Sequence, residues 1–132
     1  MDVRNLVITL VTLTSFAKAA NGECCESLEL LLENDASANQ GHRAGNYEIQ
    51  AEMFNGRNVW KRDDGNYVIW FNSDTDYWTI GSSLGSGGGI FAPSESECPN
   101  EAVGQWSYYE VGSSNNIIDA GNDVSVKCQG KE

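Results

Sequence analysis

Hydrophobic and polar residues alternate with a period of two over much of the chain beyond residue 45. Tyr47, Ile49 and Ala51 have polar neighbours, which is typical of a strand that buries one face. Segment 67–71 (YVIWF) is apolar throughout, which predicts a central strand covered on both faces. Further strand-like segments are 58–61, 77–80, 105–111 and 123–128.

Turn-forming residues separate these segments. Asn55-Gly56 and segment 63–66 (DDGN) predict tight turns, because Asn and Gly tolerate a positive φ. Short strands joined by such turns predict an antiparallel meander. We therefore expect an all-β fold, a compact antiparallel sandwich or open barrel of about six to seven short strands, stapled by disulfides.

Three segments do not follow this alternation. Segment 25–34 (CESLELLLEN) has leucines at both helical and alternating spacing, so helix and strand remain open. Segment 35–45 is polar, which predicts an exposed loop. Segment 81–89 has five glycines among nine residues and predicts the start of a long loop that continues beyond residue 99.

The N-terminal segment has the pattern of a signal peptide. Arg4 precedes an apolar stretch of 11 residues, and Ala17-Lys18-Ala19 supplies small residues for cleavage. This stretch is much shorter than the roughly 20 residues that span a bilayer. We therefore expect residues 1–19 to be removed, and residues 20–132 to form a single extracellular β domain that is secreted and does not insert into a membrane.

The chain is acidic, with 19 Asp and Glu residues against 8 Lys and Arg and a formal net charge of −11. Removal of the predicted signal peptide takes away two basic residues and one acidic residue, so the net charge becomes −12. A surface of this charge repels phosphate backbones and anionic lipids, so we do not expect nucleic acid as a partner. An extracellular protein, a glycan or a mineral surface is compatible with it.

Four cysteines follow the predicted signal peptide: Cys24, Cys25, Cys98 and Cys128. An even number of cysteines in an extracellular domain predicts disulfides, here two. We expect no bond between Cys24 and Cys25, because joining adjacent cysteines strains the peptide between them. Two pairings remain open, since either of the adjacent cysteines can bond to Cys98 and the other to Cys128. The absence of a C-x2-C pair in the sequence disfavours a zinc site.

Sequence motifs for catalysis are weak. Segment 81–85 matches the G-x-S-x-G pattern of hydrolases, in which the serine lies on a strand-to-helix turn. Here further glycines follow instead of a helix pattern, and the single histidine, His42, precedes the motif. We therefore do not expect an enzyme.

The sequence leaves one cofactor hypothesis open, a calcium ion. Segment 72–76 (NSDTD) begins like a calcium-binding loop but lacks the Gly and the Glu that an EF-hand requires at the following positions. A looser site would use Asp74 and Asp76 together with Asp119 or Asp123. Apart from this weak calcium hypothesis, we expect no cofactor.

Aromatic residues are concentrated in the middle of the chain. Four tryptophans and four tyrosines lie there: Trp60, Trp70, Trp78, Trp106, Tyr67, Tyr77, Tyr108 and Tyr109. Most of them must fill the core of so small a domain. Neighbouring residues of a strand point to opposite faces, so one member of each aromatic doublet is expected to face outwards. The predicted ligand-contact surface consists of Tyr77, Trp78, Tyr108 and Tyr109, with Asp74 and Asp76 as an acidic rim.

An ordered series of short motifs carries a resemblance to a known module. The motifs are NGR at 55–57, WK at 60–61, YVIWF at 67–71, YWTIG at 77–81, CP at 98–99, QWSY at 105–108 and VSVKC at 124–128. Together they resemble a small β module, without a settled functional name, of secreted and cell-surface proteins of marine invertebrates. The resemblance covers residues 45–128 and is weakest before residue 34 and at the adjacent cysteines. The resemblance implies a non-catalytic extracellular domain. The module has no known ligand-binding residues that could be assigned to positions of this sequence.

These observations favour a non-catalytic secreted binding or matrix domain. Its contact surface would combine exposed aromatic rings with acidic residues. A carbohydrate-binding, lectin-like domain is the first alternative, since exposed rings commonly hold sugars. A small secreted hydrolase or hydrolase inhibitor is the alternative from another functional class.

Overall fold

The computed structural model describes residues 24–113 and 115–129, and the predicted signal peptide lies outside this part of the chain. These residues form an antiparallel sheet of nine strands. The strands are β1 Ser27–Leu32, β2 Gly45–Ile49, β3 Trp60–Arg62, β4 Val68–Asn72, β5 Tyr77–Gly81, β6 Ile90–Ala92, β7 Trp106–Tyr109, β8 Ile117–Gly121 and β9 Val124–Cys128. One helix, α1 Asn34–Gln40, and two 3-10 turns, Gly41–Arg43 and Pro99–Glu101, complete the described elements.

The sheet curls into a nearly closed barrel. Consecutive strands pair from β1 to β8, and β9 returns to pair with β1. The predicted all-β, antiparallel, disulfide-stapled fold is therefore confirmed, with more strands than the six or seven expected from the sequence. The strand β6 lies within the segment predicted to be a long loop, and β8 lies where the sequence predicted no strand.

Segment 25–34 is largely a strand and not a helix, which answers a question that the sequence left open. Segment 35–45 differs from its prediction. Segment 25–34 contains a strand, β1, which buries Leu28 and Leu30 and pairs with both β2 and β9. Segment 35–45, predicted to be an exposed loop, contains most of helix α1. The helix packs against β1 and β7, and its Gln40 side chain donates to the carbonyl oxygen of Tyr109 at 2.7 Å. Tertiary contacts of this kind hold a short polar helix that has no hydrophobic period of its own.

Large aromatic side chains fill the barrel interior. Trp60, Phe71 and Trp78 pack edge to face, with ring centroids 6.0 Å apart for the two tryptophans and 5.4 Å apart for Phe71 and Trp78. The indole N–H of Trp60 donates to the carbonyl oxygen of Cys25 at 2.9 Å, and that of Trp78 to Ser96 at 2.9 Å. The rings therefore supply both apolar burial and satisfied polar contacts between distant segments.

Strand β4 is covered on both faces, as segment 67–71 predicted. Ile69 and Phe71 belong to the barrel interior. Val68 and Trp70 point to the outer face, where they form a second buried cluster with Val59. Phe54 packs on this outer cluster, with its ring 5.7 Å from that of Trp70.

The two disulfides join Cys24 to Cys98 and Cys25 to Cys128, with Cα atoms 5.4 and 5.7 Å apart. The expectation that the adjacent cysteines do not bond to each other is confirmed. The structure selects one of the two pairings that the sequence left open. Both bridges fasten the segment before β1 to distal parts of the chain, one at the end of β9.

Both predicted tight turns are present. Asn55 and Gly56 have φ values of 56° and 79°, as a hairpin turn of type I′ requires. Gly65 has a φ of 77° in the turn between β3 and β4. In the described part of the chain, no helix has the length and apolar character needed to cross a membrane.

Candidate functional site

The two aromatic doublets each place one ring inside the barrel and one outside. Trp78 and Tyr108 are 0% and 2% exposed and belong to the core, where burial raises the pKa of Tyr108. Tyr77 and Tyr109 are partly exposed on the outer face. Of the four candidate rings, Tyr77 and Tyr109 therefore reach the outer face, whereas strand alternation turns Trp78 and Tyr108 inwards, so these two do not belong to the surface.

Phe91 lies between the two outward tyrosines, and sequence reasoning missed it. Strand β6 pairs with β5 on one side and β7 on the other, and its outward residue is Phe91. The rings of Tyr77 and Phe91 are nearly parallel, with an interplanar angle of 8° and centroids 5.8 Å apart. The ring of Tyr109 follows at 5.4 Å from Phe91, tilted by 45°. We call the side chains of Tyr77, Phe91 and Tyr109 the aromatic strip.

The aromatic strip lines a shallow groove of about 280 Å³ on the outer face of the barrel, here called the aromatic groove. Its other lining residues are Asn72, Thr75, Thr79, Gly87, Gly88 and Ile117. Ile117 extends the apolar surface at one end, since it pairs with Tyr109 across β7 and β8 and is 52% exposed. The groove thus combines aromatic surface with side-chain hydroxyl and amide groups.

The glycine-rich loop between β5 and β6 forms one wall of this groove. Its residue Gly88 packs so closely on β5 that a Cβ atom there would lie 2.4 Å from the carbonyl oxygen of Ile80. A Cβ atom on Gly89 would lie 2.5 Å from the Gln40 side-chain oxygen. At both positions the glycine provides close backbone approach, and the loop is seated against the sheet and against the residue that ends α1.

The predicted acidic rim lies in the turn between β4 and β5. Asp74 and Asp76 are both exposed there. Asn72 holds the turn, since its side-chain oxygen accepts the N–H of Asp74 at 3.0 Å and its carbonyl oxygen accepts the N–H of Asp76 at 2.7 Å. Asn72 and Thr75 of the same turn line the aromatic groove, so the turn that carries the two exposed aspartates borders the groove.

The carboxylates of the calcium hypothesis do not form a cluster in the described part of the chain. Within residues 24–113 and 115–129, no three His, Cys, Asp or Glu side chains lie close enough together to hold a metal ion. Asp119 instead accepts the N–H of Gly121 at 3.1 Å, and Asp123 accepts the side-chain N–H of Asn34 at 3.0 Å. The fold therefore uses these two carboxylates to hold turns and termini of its own elements.

The G-x-S-x-G motif lacks the geometry of a nucleophile elbow. Its Ser83 lies in the glycine-rich loop, which leads to strand β6 and not to a helix. The hydroxyl of Ser83 is 2.8 Å from that of Ser86. His42 is exposed beside Tyr67, with ring centroids 5.7 Å apart.

A second and larger groove, of about 500 Å³, lies over the outer face of β3 and β4. Met53 and Leu84, 50% and 45% exposed, line it together with Phe54. Unlike the aromatic strip, its walls come largely from the connections before β3 and after β5 and not from neighbouring strands. The aromatic groove differs from it in that three neighbouring strands carry its rings.

No known protein family, curated protein or solved structure matches this chain. The resemblance to the extracellular β module stays a prediction.

Proposed function

We propose that this chain is a non-catalytic, secreted extracellular binding domain whose contact surface is the aromatic groove. Its partner is an extracellular protein, a glycan or a mineral surface. The observation that carries the proposal is the aromatic strip, three partly exposed rings on three adjacent strands of a well-packed sheet. Rings on regular strands offer apolar contact area without having to be ordered on binding, which is how binding energy is commonly concentrated.

The disulfides support the extracellular location in this proposal. Such bonds persist in oxidising compartments and are rare where cytosolic reductants act. Each joins residues far apart in sequence, with separations of 74 and 103 residues, so each stabilises the domain by restricting its unfolded chain. A small barrel with a modest core gains most from bridges of this kind.

The proposal is tested by retention of the purified protein on a fixed set of surfaces: cellulose, chitin, heparin-agarose, gelatin and calcium carbonate crystals. The test variant is Phe91→Ala, which removes the central ring of the aromatic strip. The control is Val103→Ala, since Val103 is 75% exposed and does not belong to the strip. We expect retention on at least one surface to fall about tenfold in Phe91→Ala, which corresponds to ~1.4 kcal/mol, and to stay unchanged in the control.

Two outcomes contradict the proposal. One is that no surface retains the protein. The other is that retention is equal in the wild type and in Phe91→Ala. Urea denaturation of each variant establishes that a loss of retention does not come from unfolding.

A further inference from the structure

We infer that the aromatic groove binds an extended, neutral glycan chain, and that it discriminates against sulfated and carboxylated glycans. This inference rests on the proposed function and names the ligand class of the same site. The shape of the aromatic strip, the pairing of its strands and the charge around it each support the inference.

The aromatic strip places its three rings at intervals that suit consecutive sugar rings. Its ring centroids are 5.8 and 5.4 Å apart, a spacing comparable to the length of one pyranose unit in an extended chain. The rings of Tyr77 and Phe91 are parallel, and their centroids are farther apart than those of two fully overlapping rings. Neither ring therefore covers the face of the other completely. The C–H face of a pyranose packs on such surfaces.

The rim of the groove supplies the polar partners that a sugar requires. Tyr77 and Tyr109 bring phenol groups to the lining, and Asn72 and Thr75 bring an amide group and a hydroxyl group. Each of these side chains both donates and accepts hydrogen bonds. A ligand with one apolar face and a hydroxylated edge therefore matches both parts of the groove.

The pairing of the strands disfavours an extended peptide as the ligand. Peptides commonly bind to sheets by adding a strand to a free edge. Strands β5, β6 and β7, which carry the aromatic strip, are each paired on both sides. Their backbone groups are therefore already used, and a ligand contacts them through side chains alone.

The charge around the groove selects among glycans. None of the described residues that line it carries a positive charge, and Asp74 and Asp76 are exposed in the turn that borders it. Binding of sulfate or carboxylate groups in proteins ordinarily uses Arg or Lys. A net charge of −11 adds a long-range repulsion of polyanions. A neutral glycan needs no Arg or Lys partner, and the negative charge of the protein does not repel it.

The experiment compares neutral with anionic oligosaccharides by isothermal titration calorimetry. The neutral probes are cellohexaose and chitohexaose with the corresponding disaccharides, and the anionic probes are hexasaccharides of heparin and of chondroitin sulfate. We expect a neutral hexasaccharide to bind at least tenfold more tightly than its disaccharide, because the strip has three rings, and more tightly than either anionic probe at 0.15 M salt. Phe91→Ala and Tyr77→Ala should each weaken binding about tenfold, and Val103→Ala should not change it.

The outcomes separate this inference from the proposed function. Binding of the anionic probes in preference to the neutral ones overturns the inference, as does no detectable binding of any neutral hexasaccharide at millimolar concentration. If, in either case, Phe91→Ala is retained less than the wild type on gelatin or on calcium carbonate, the proposed function still holds, with a ligand other than a neutral glycan. If Phe91→Ala changes no retention at all, both are wrong.

Discussion

Arg57 lies over the ring of Phe71, with its guanidinium carbon 4.1 Å from the ring centroid. The same guanidinium donates to the carbonyl oxygen of Glu95 at 2.8 Å and to that of Ser96 at 3.3 Å. Ser96 also accepts the indole N–H of Trp78. Arg57 therefore connects the turn before β3, strand β4 and the segment after β6. The NGR motif of the sequence has a structural role here.

We expect Arg57→Met to lower the free energy of unfolding by about 2 kcal/mol, because it removes two charge-assisted hydrogen bonds and one cation–π contact while keeping an apolar stem. The free energy of unfolding of Arg57→Lys should lie between those of the wild type and Arg57→Met, because an ammonium group cannot make the same pair of hydrogen bonds as a guanidinium group. Urea denaturation measures both. Lys61→Met is the control, because Lys61 is exposed on β3. A loss of the same size in the control would show that only charge matters.

The doublets predict two classes of aromatic variant. Trp78→Ala and Tyr108→Ala should each cost about 3–5 kcal/mol of stability, as truncations of large buried rings do. Tyr77→Ala and Tyr109→Ala should cost about 1 kcal/mol, since each loses one ring contact on the surface. Chemical denaturation of the four variants checks the division. Equal destabilisation by all four would mean that the aromatic strip is simply part of the core.

Alternation along a strand predicted that each doublet has an inner and an outer ring, but not which residue is which. That choice depends on register, since a shift by one residue exchanges the faces. In β4 and β5 the register is set by long apolar neighbours such as Ile69 and Ile80, which pair with each other inside the barrel. The sequence therefore predicts that each doublet has one outward ring, but it does not predict which residue carries that ring.

Strand β6 and its residue Phe91 were not predicted from the sequence, for a physical reason. The strand has three residues, Ile90, Phe91 and Ala92, all apolar, so no alternation is visible in it. Glycines precede it and a proline follows, which are signals of loops. Its stability comes from pairing with β5 and β7, which is non-local information. Helix α1 was missed on similar grounds, because its order depends on packing against β1 and β7.

The disulfide pairing leads to a third prediction. Peptide mapping without reduction should recover Cys24 linked to Cys98 and Cys25 linked to Cys128. Replacing Cys24 and Cys98 together by Ala should cost about 4 kcal/mol, because the closed loop is long, and should leave the other bridge intact. The mismatched pair Cys24→Ala with Cys128→Ala should cost more and leave reactive thiols. Recovery of the alternative pairing from the wild type would contradict the structure.

The fourth prediction concerns the ion pair between Arg62 and Asp64, whose closest atoms are 2.6 Å apart. Hydrogen bonds from Arg62, and then from the backbone of Asn66, lower the pKa of Asp64 from 3.8 to about 2. Because the folded-state pKa lies below the unfolded value, this pair stabilises the fold above pH 4 or so, and its contribution is lost as the pH falls towards 2. A carboxyl-carbon NMR titration should show the low midpoint, and Arg62→Gln should move it towards 3.8. A midpoint near 3.8 in the wild type would contradict the pairing.

The glycine-rich loop provides a matched pair of variants for the last prediction. A Cβ atom on Gly88 would lie 2.4 Å from the Ile80 carbonyl oxygen and 2.7 Å from Cγ2 of Thr79, whereas one on Gly87 would have no neighbour within 4 Å. We expect Gly88→Ala to cost about 1–3 kcal/mol, because the loop must move away from β5. Gly87→Ala should be neutral or slightly stabilising, since alanine restricts the unfolded chain. Urea denaturation and retention on the same surfaces should therefore separate the two variants, with Gly88→Ala also weakening binding because it displaces a wall of the aromatic groove. Equal behaviour of the two would mean that the loop does not pack on β5 in solution.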